Sequence, residues 1–462
     1  MSISADPIVP TSGGGTDRLS VLARVPGNVR ADVCAIAGRK VVLVEFDESD
    51  PAPPLTSEMT TVMGAGVTHA INEAIPFVLI VNSAGADVRE GIAPLAGWGA
   101  VAAHMTRASG LIPIFAIVDG PAVSGPALLL GLADVVVMTE DAYAFVNGPM
   151  MVEQFTGVAI DKAELGSAAM MSSHAGVGAV VVPRRRDAVD AVGELLAYFP
   201  DSASVAPPRH DRHDPADRLC PELAGVLPES SSGGYDVRRV AESIVDDGSL
   251  YEVRSGWATN VVTAFATIDG RPIGVIANQP IALAGTLDIL ASQKAARFVN
   301  TCDAFGLGLL TLVDTPGFYP GKDLEWRGMI RHGAQLVYAY GQATVPRVCV
   351  VLRKSYGGAY IVMDSKTMGN DVCLAWPWSE LAVMGAGQAA AILRRGADPD
   401  ETAAFIEDYT ERLLNPYVAA ERGFVDDVIE PHETRQRVAA AFEMLATKRE
   451  ALPRRRHGNS PL

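Results

Sequence analysis

Val345-Pro346-Arg347-Val348-Cys349-Val350-Val351, running on to Ser355-Tyr356-Gly357-Gly358-Ala359-Tyr360, is the stretch that decides the fold. An apolar run of strand length leads into small residues and then into a helix-like segment, Tyr360–Ser365. A paler copy lies upstream, where Ile112-Pro113-Ile114-Phe115-Ala116-Ile117-Val118 leads to Ser124-Gly125-Pro126-Ala127. Two further pairs keep the same spacing. Ala37-Gly38-Arg39-Lys40-Val41 matches Asp269-Gly270-Arg271-Pro272-Ile273, and Val78–Gly85 matches Leu309–Gly317. Arg39 and Arg271 are 232 residues apart, and Gly125 and Gly358 are 233 apart. Chance similarity does not hold one offset across separate elements, so the chain reads as a tandem duplication. Each copy alternates strands with helices, which predicts two parallel-sheet α/β layer stacks.

The chain has 462 residues, enough for two or three domains. Pro207-Pro208 and the polar stretch to Gly234, with His210 and His213, predict a connector that contains the boundary. The expected divisions are a disordered segment at 1–17, a first domain at 18–215 and a second at 216–462. A net charge of −16 argues against nucleic-acid binding, which needs clustered cations. The basic run Arg184–Arg186 reads as a solvated edge. Cys34, Cys220, Cys302, Cys349 and Cys373 show no C-x-x-C spacing and suit a reducing compartment. There is no metal-ligand cluster, Walker loop, dinucleotide fingerprint, apolar signal or membrane-length apolar run, so a cytoplasmic protein is expected.

A glycine-rich turn at a helix start leaves backbone N–H groups pointing outward, able to stabilise an oxyanion without a charged side chain. Its recurrence in both copies suggests paired oxyanion holes, a chemistry suited to enolate formation from a thioester.

These residues resemble a known family. Gly270–Pro280, Lys294–Val299, Cys302–Phe305, Asp314–Phe318, Arg353–Tyr360, Ala375–Pro377, Ala382–Ala386 and Asn415–Gly423 are similar to the carboxyltransferase (beta) subunits of biotin-dependent acyl-CoA carboxylases. The resemblance is close over roughly 225–462 and looser upstream. It implies two tandem crotonase-like (ClpP/crotonase) α/β domains, with acyl-CoA on the first and carboxybiotin on the second. Gly358 and Ala359 would polarise the biotin ureido oxygen, with Gly357, Tyr360, Ile361, Gly317 and Phe318 around the biotin. Ser124 and Gly125 would take the corresponding place for the thioester enolate, with Gly85, Ala86 and Ile361 near the substrate. Ile361 stands where some propionyl-specific relatives carry Asp, a hint of an acetyl-like or broader pocket. A biotin carboxylase/biotin carrier (alpha) subunit is the implied partner. The assembly would be a hexameric trimer of dimers or a hetero-oligomer with a paralogue.

The first half departs from the family. The Ser-Gly-Gly-Ala-Arg turn reads Ser83-Ala84-Gly85-Ala86-Asp87, placing an anion where CoA phosphates would be steered. The Ala-Gly-Gly-Ala turn reads Val123-Ser124-Gly125-Pro126, with donors expected to survive at 124 and 125. Three readings therefore stay open: an active carboxyltransferase, a non-catalytic or half-active subunit paired with a paralogue, or a crotonase-fold decarboxylase of a carboxyacyl thioester.

Overall fold

A computed structural model describes residues 16–49, 51–211, 214–228, 230 and 233–461. It divides into two units, 1–208 and 209–462. The break falls seven residues before the expected 215/216, because Asp214 and Pro215 are held within the second unit. Arg435, fully buried, donates to the carbonyls of Asp214 and Pro215 at 3.0 Å each and pairs with buried Asp246 at 2.8 Å. Removing one partner of such a pair strands the other charge, at about 3–5 kcal/mol. His210 donates its N–H to Gly270, also in this unit; His213 lies outside the described residues. Of the segment expected to be disordered, residues 1–15 also lie outside them, whereas Thr16 and Asp17 open the first strand.

The first unit contains strands β1 (Thr16–Val25), β2 (Val29–Ile36), β3 (Arg39–Phe46), β4 (Phe77–Ser83), β5 (Ile114–Val123), β6 (Val135–Thr139), β7 (Tyr143–Phe145) and β8 (Val180–Val182). The second contains β9 (Tyr251–Glu252), β10 (Val261–Ile268), β11 (Arg271–Asn278), β12 (Gly308–Thr315), β13 (Arg347–Tyr356), β14 (Val372–Ala375), β15 (Glu380–Ala382) and β16 (Asp427–Val428). The sheet orders are β1-β2-β3-β4-β5-β6-β8, with β7 on β5, and β9-β10-β11-β12-β13-β14-β16, with β15 on β13. Strand for strand, the second topology repeats the first. The central strands are parallel and buried along their lengths, as in Phe77–Ser83 and Gly308–Thr315. Helices cover both faces of such strands, which therefore read as continuous apolar runs.

The sheets are not wholly parallel, as the alternation predicts. β1–β2–β3 and β9–β10–β11 are antiparallel. The β2–β3 and β10–β11 pairs are closed by the repeated dipeptide Ala37-Gly38 and Asp269-Gly270, whose φ values are 48° and 77°, then 50° and 71°. Two consecutive positive φ values make the tight turn that suits the twist of a hairpin.

Three helices of each unit frame the strand ends: α1 (Ser57–Glu73), α2 (Ala93–Ala108) and α3 (Gly125–Leu130), then α4 (Ile289–Ala304), α5 (Met329–Gln342) and α6 (Gly357–Val362). Thr56 caps α1 by accepting from Met59 N–H, and Asp288 caps α4 by accepting from Ala291 N–H at 2.8 Å. These caps satisfy donors that a helix start otherwise leaves unpaired. On α4, Lys294 is buried and gives its ammonium to the carbonyls of Arg254, Trp257 and Val261 at 2.7–2.9 Å. Burial lowers its pKa to about 7.

Candidate active site

In the second unit β13 ends at Tyr356 and α6 begins at once. Gly357 makes the corner at φ 60°. A Cβ there would meet Val383 O at 3.2 Å in a conformation that L side chains avoid. Gly358 is exposed and Ala359 is buried. As the first residues of α6 they have no intrahelical acceptor, and no other acceptor meets their N–H groups among the described residues. A Cβ on Gly358 would lie 3.6 Å from the Phe318 ring, ordinary contact. The backbone demand thus sits at Gly357, while Gly358 leaves its own side open to a ligand.

The neighbouring turn is built by β12. Gly317, at φ 140°, follows Thr315, whose hydroxyl accepts from its N–H at 3.4 Å. Leu287 N–H donates to Gly317 O, and Leu287 bridges Phe318. Asp314 accepts from Arg353 at 3.0 Å and from Lys354 N–H at 3.1 Å, locking the end of β12 to β13. Burial nevertheless pushes the Asp314 carboxyl above the usual range, with Arg353 opposing. Behind α6, Asp364 pairs with buried Arg347 at 2.8 Å. Arg347 also donates to Tyr340 O and Met368 O. Desolvation raises Asp364 to about 7 against the pull of Arg347. Tyr360 is half-buried on α6, its phenol pushed upward by burial, and Ile361 beside it is exposed.

The first unit repeats this frame with changed chemistry. Gly85, at φ 102°, follows Ser83, whose hydroxyl accepts from Gly85 N–H at 3.3 Å. Leu55 N–H donates to Gly85 O, and Leu55 bridges Ala86. The charged pair Asp314–Arg353 has Asn82 and Gly120 as counterparts. A Cβ on Gly120 would come within 2.7 Å of the Asn82 amide oxygen. Ser124 stands at the corner with φ 62° and ψ −119° and is the counterpart of Gly357. Gly125 and Pro126 are therefore the counterparts of Gly358 and Ala359.

This corrects the expected donor pair. Ser124 N–H is already committed to Phe145 O at 3.0 Å. Pro126 carries no N–H at all. Gly125 N–H alone has no acceptor among the described residues. Gly125 is also buried, because the Trp98 ring of α2 stands over it. A Cβ on Gly125 would lie 2.6 Å from Trp98 Cδ1 and 2.8 Å from Nε1. Nothing in the sequence patterns singles out Trp98.

The expected electrostatic role of Asp87 is corrected too. Its buried carboxylate accepts from Arg89 N–H, Nε and Nη2 at 3.0, 2.9 and 2.7 Å. The bond to Arg89 holds the carboxyl below its usual range. The group presented to solvent is Arg89, with a side chain 80% exposed. In the basic run Arg184 is exposed, but Arg185 reaches inward to Glu45 at 2.8 Å and Asp119 at 3.3 Å. Among the described residues there is no metal-ligand cluster, and no helix is long and apolar enough to cross a membrane.

The carboxyl transferase domain family matches residues 20–460. The propionyl-CoA carboxylase beta chain of Roseobacter denitrificans is 42% identical over 421 residues, covering 88% of this chain and 82% of that protein. The methylmalonyl-CoA carboxyltransferase 12S subunit of Propionibacterium freudenreichii subsp. shermanii is 41% identical over 439 residues, covering 92% and 82%. A solved transcarboxylase 12S structure, a hexamer with hydrolysed methylmalonyl-coenzyme A bound, superposes with a TM-score of 0.92 at 38% identity. It covers 97% of this chain and 90% of its own. The duplicated frame, the turn at Gly357–Ala359 and these likenesses together make this chain a member of the carboxyl transferase domain family, the acyl-CoA carboxyltransferases of biotin-dependent carboxylases.

Proposed function

We propose that the chain moves a carboxyl group between biotin and the α-carbon of an acyl-CoA, with biotin at the Gly358 turn and the thioester at the Gly125 turn. The observation that carries this is the pair of acceptor-free N–H groups at Gly358 and Ala359, beside an exposed position without a Cβ. That turn suits a flat urea ring: two consecutive donors are available to its oxygen, and Phe318 stands beside Gly358. Carboxybiotin, carried by a partner subunit, supplies CO2 and then a ureido nitrogen able to accept the α-proton. Gly358 and Ala359 hold the charge that gathers on the ureido oxygen. Gly125 N–H holds the oxygen of the enolate, a placement that matters because preorganised donors stabilise charge as it develops. Gly317, Phe318 and Tyr360 border the biotin, Gly85 and Ala86 lie beside the thioester turn, and Ile361 presents an exposed apolar side chain on α6.

Relatives named for propionyl-CoA and methylmalonyl-CoA favour a short acyl acceptor, and Ile361 in place of a carboxylate favours tolerance of acetyl as well as propionyl chains. The partner is a biotin carboxylase and biotin-carrier subunit. A hexamer is the proposed assembly, supported by the hexamer assembly for which the 12S structure is named.

Transfer from labelled malonyl-CoA or methylmalonyl-CoA to free biocytin, without ATP, tests the reading. Label should reach biocytin in proportion to acyl-CoA released. CO2 release that does not depend on biocytin would instead favour a decarboxylase.

A further inference from the structure

We propose that the indole N–H of Trp98 is the second donor to the thioester oxygen in the first unit, replacing the N–H that Pro126 lacks. The inference rests on the function proposed above and names a catalytic residue within it. The second unit offers two donors at its turn, Gly358 and Ala359. The first offers one, because Ser124 N–H is spent on Phe145 and position 126 is proline. An enolate held by one hydrogen bond would lose about 10²–10³ in rate relative to one held by two.

Trp98 stands where the missing donor is needed. The face of its pyrrole ring covers Gly125, with Cδ1, Cγ and Nε1 all within 2.8 Å of the position a Cβ would take. Nε1 is buried and has no acceptor among the described residues. Indole nitrogen is a donor only, and buried donors are almost always paired. An orphan indole N–H and an orphan backbone N–H at one turn leave an acceptor wanting, and a thioester oxygen seated at the nitrogen side of the ring would supply it. The two units also differ in the aromatic that covers the turn. Phe318 lies beside Gly358, which stays exposed, and carries no polar atom, where both backbone donors are present. Trp98 carries one, where a backbone donor is absent.

Trp98→Phe keeps an aromatic ring beside Gly125 but removes the indole N–H together with part of the bicycle, so rescue at Pro126 is what separates donor loss from lost packing. In the biocytin transfer assay its kcat should fall about 10²-fold or more, with KM changing less than threefold. In the Trp98→Phe/Pro126→Ala double variant, the restored backbone N–H should recover at least tenfold of that loss. Independently, the Trp98 indole ¹⁵N–¹H resonance, assigned by its absence in Trp98→Phe, should move downfield with acyl-CoA. It should stay in place with the thioether analogue that lacks the carbonyl. Wild-type kcat in Trp98→Phe, or an unmoved resonance at saturating acyl-CoA, overturns the assignment. Failure of the wild-type chain to carboxylate biocytin counts against the proposed function itself, so the two failures are distinct.

Discussion

Replacing Gly357 and Gly358 separately by alanine should split stability from turnover. At Gly357 the backbone is left-handed, φ 60°, and the new Cβ sits 3.2 Å from Val383 O. An L side chain in that region costs roughly 1–2 kcal/mol, and the stiffer unfolded chain returns about 0.4–1 kcal/mol. Gly357→Ala should therefore lose about 1 kcal/mol, lowering the Tm of its unit by roughly 2–4 °C. At Gly358 φ is not positive and the new Cβ meets only the Phe318 ring, at 3.6 Å. Alanine is a better helix former than glycine, so Gly358→Ala should leave Tm unchanged or slightly higher. The methyl group nevertheless projects from an exposed position beside the free N–H groups, where the proposed biotin would approach. Transfer to biocytin should then fall by about 10²-fold or more, the scale of a lost oxyanion donor. Calorimetry and the transfer assay on the same preparations give both readouts. A Gly358→Ala variant with wild-type kcat/KM refutes the placement of biotin at this turn, whatever its Tm.

Other outcomes follow from the same geometry. Ser124→Gly removes a side chain from φ 62°, ψ −119° and should stabilise the chain by about 1 kcal/mol in urea unfolding, since such strain is worth roughly 1–3 kcal/mol before the entropy of glycine is subtracted. A loss of stability would mean that the serine makes a compensating interaction. Asp364 is raised from 3.8 to about 7 in the folded chain, so the native state binds the proton more tightly than the unfolded one. Its contribution is fully present below the unfolded pKa and is lost as pH rises through about 7. The urea midpoint should accordingly decline across that window, and Asp364→Asn should flatten the slope. An unchanged slope would show that Arg347 keeps the carboxylate ionised throughout.

The duplication was legible because it is written in residue identity at fixed spacing, and backbone turns demand such identities. Gly85 and Gly317 both need positive φ, and Ala37-Gly38 and Asp269-Gly270 both make a hairpin. Those dipeptides were visible as a repeat, but the antiparallel edge they encode was not drawn from them. The boundary was displaced for a different reason. Arg435 holds residues 214 and 215 in the second unit from more than two hundred positions away, and local composition carries no trace of such a contact.

What the amino-acid order settled alone was the α/β class, the two copies and the pair of turns, since each depends on short-range pattern or on glycine and proline chemistry. Folding alone decided which donors those turns still offer. The N–H of Ser124 is taken by Phe145, twenty-one positions onward, through the pairing of β5 with β7. Asp87 faces Arg89 instead of a ligand, and Trp98 of α2 closes over Gly125. A hydrogen bond is a relation between two groups in space, so whether a donor is free depends on packing that one-dimensional spacing does not record.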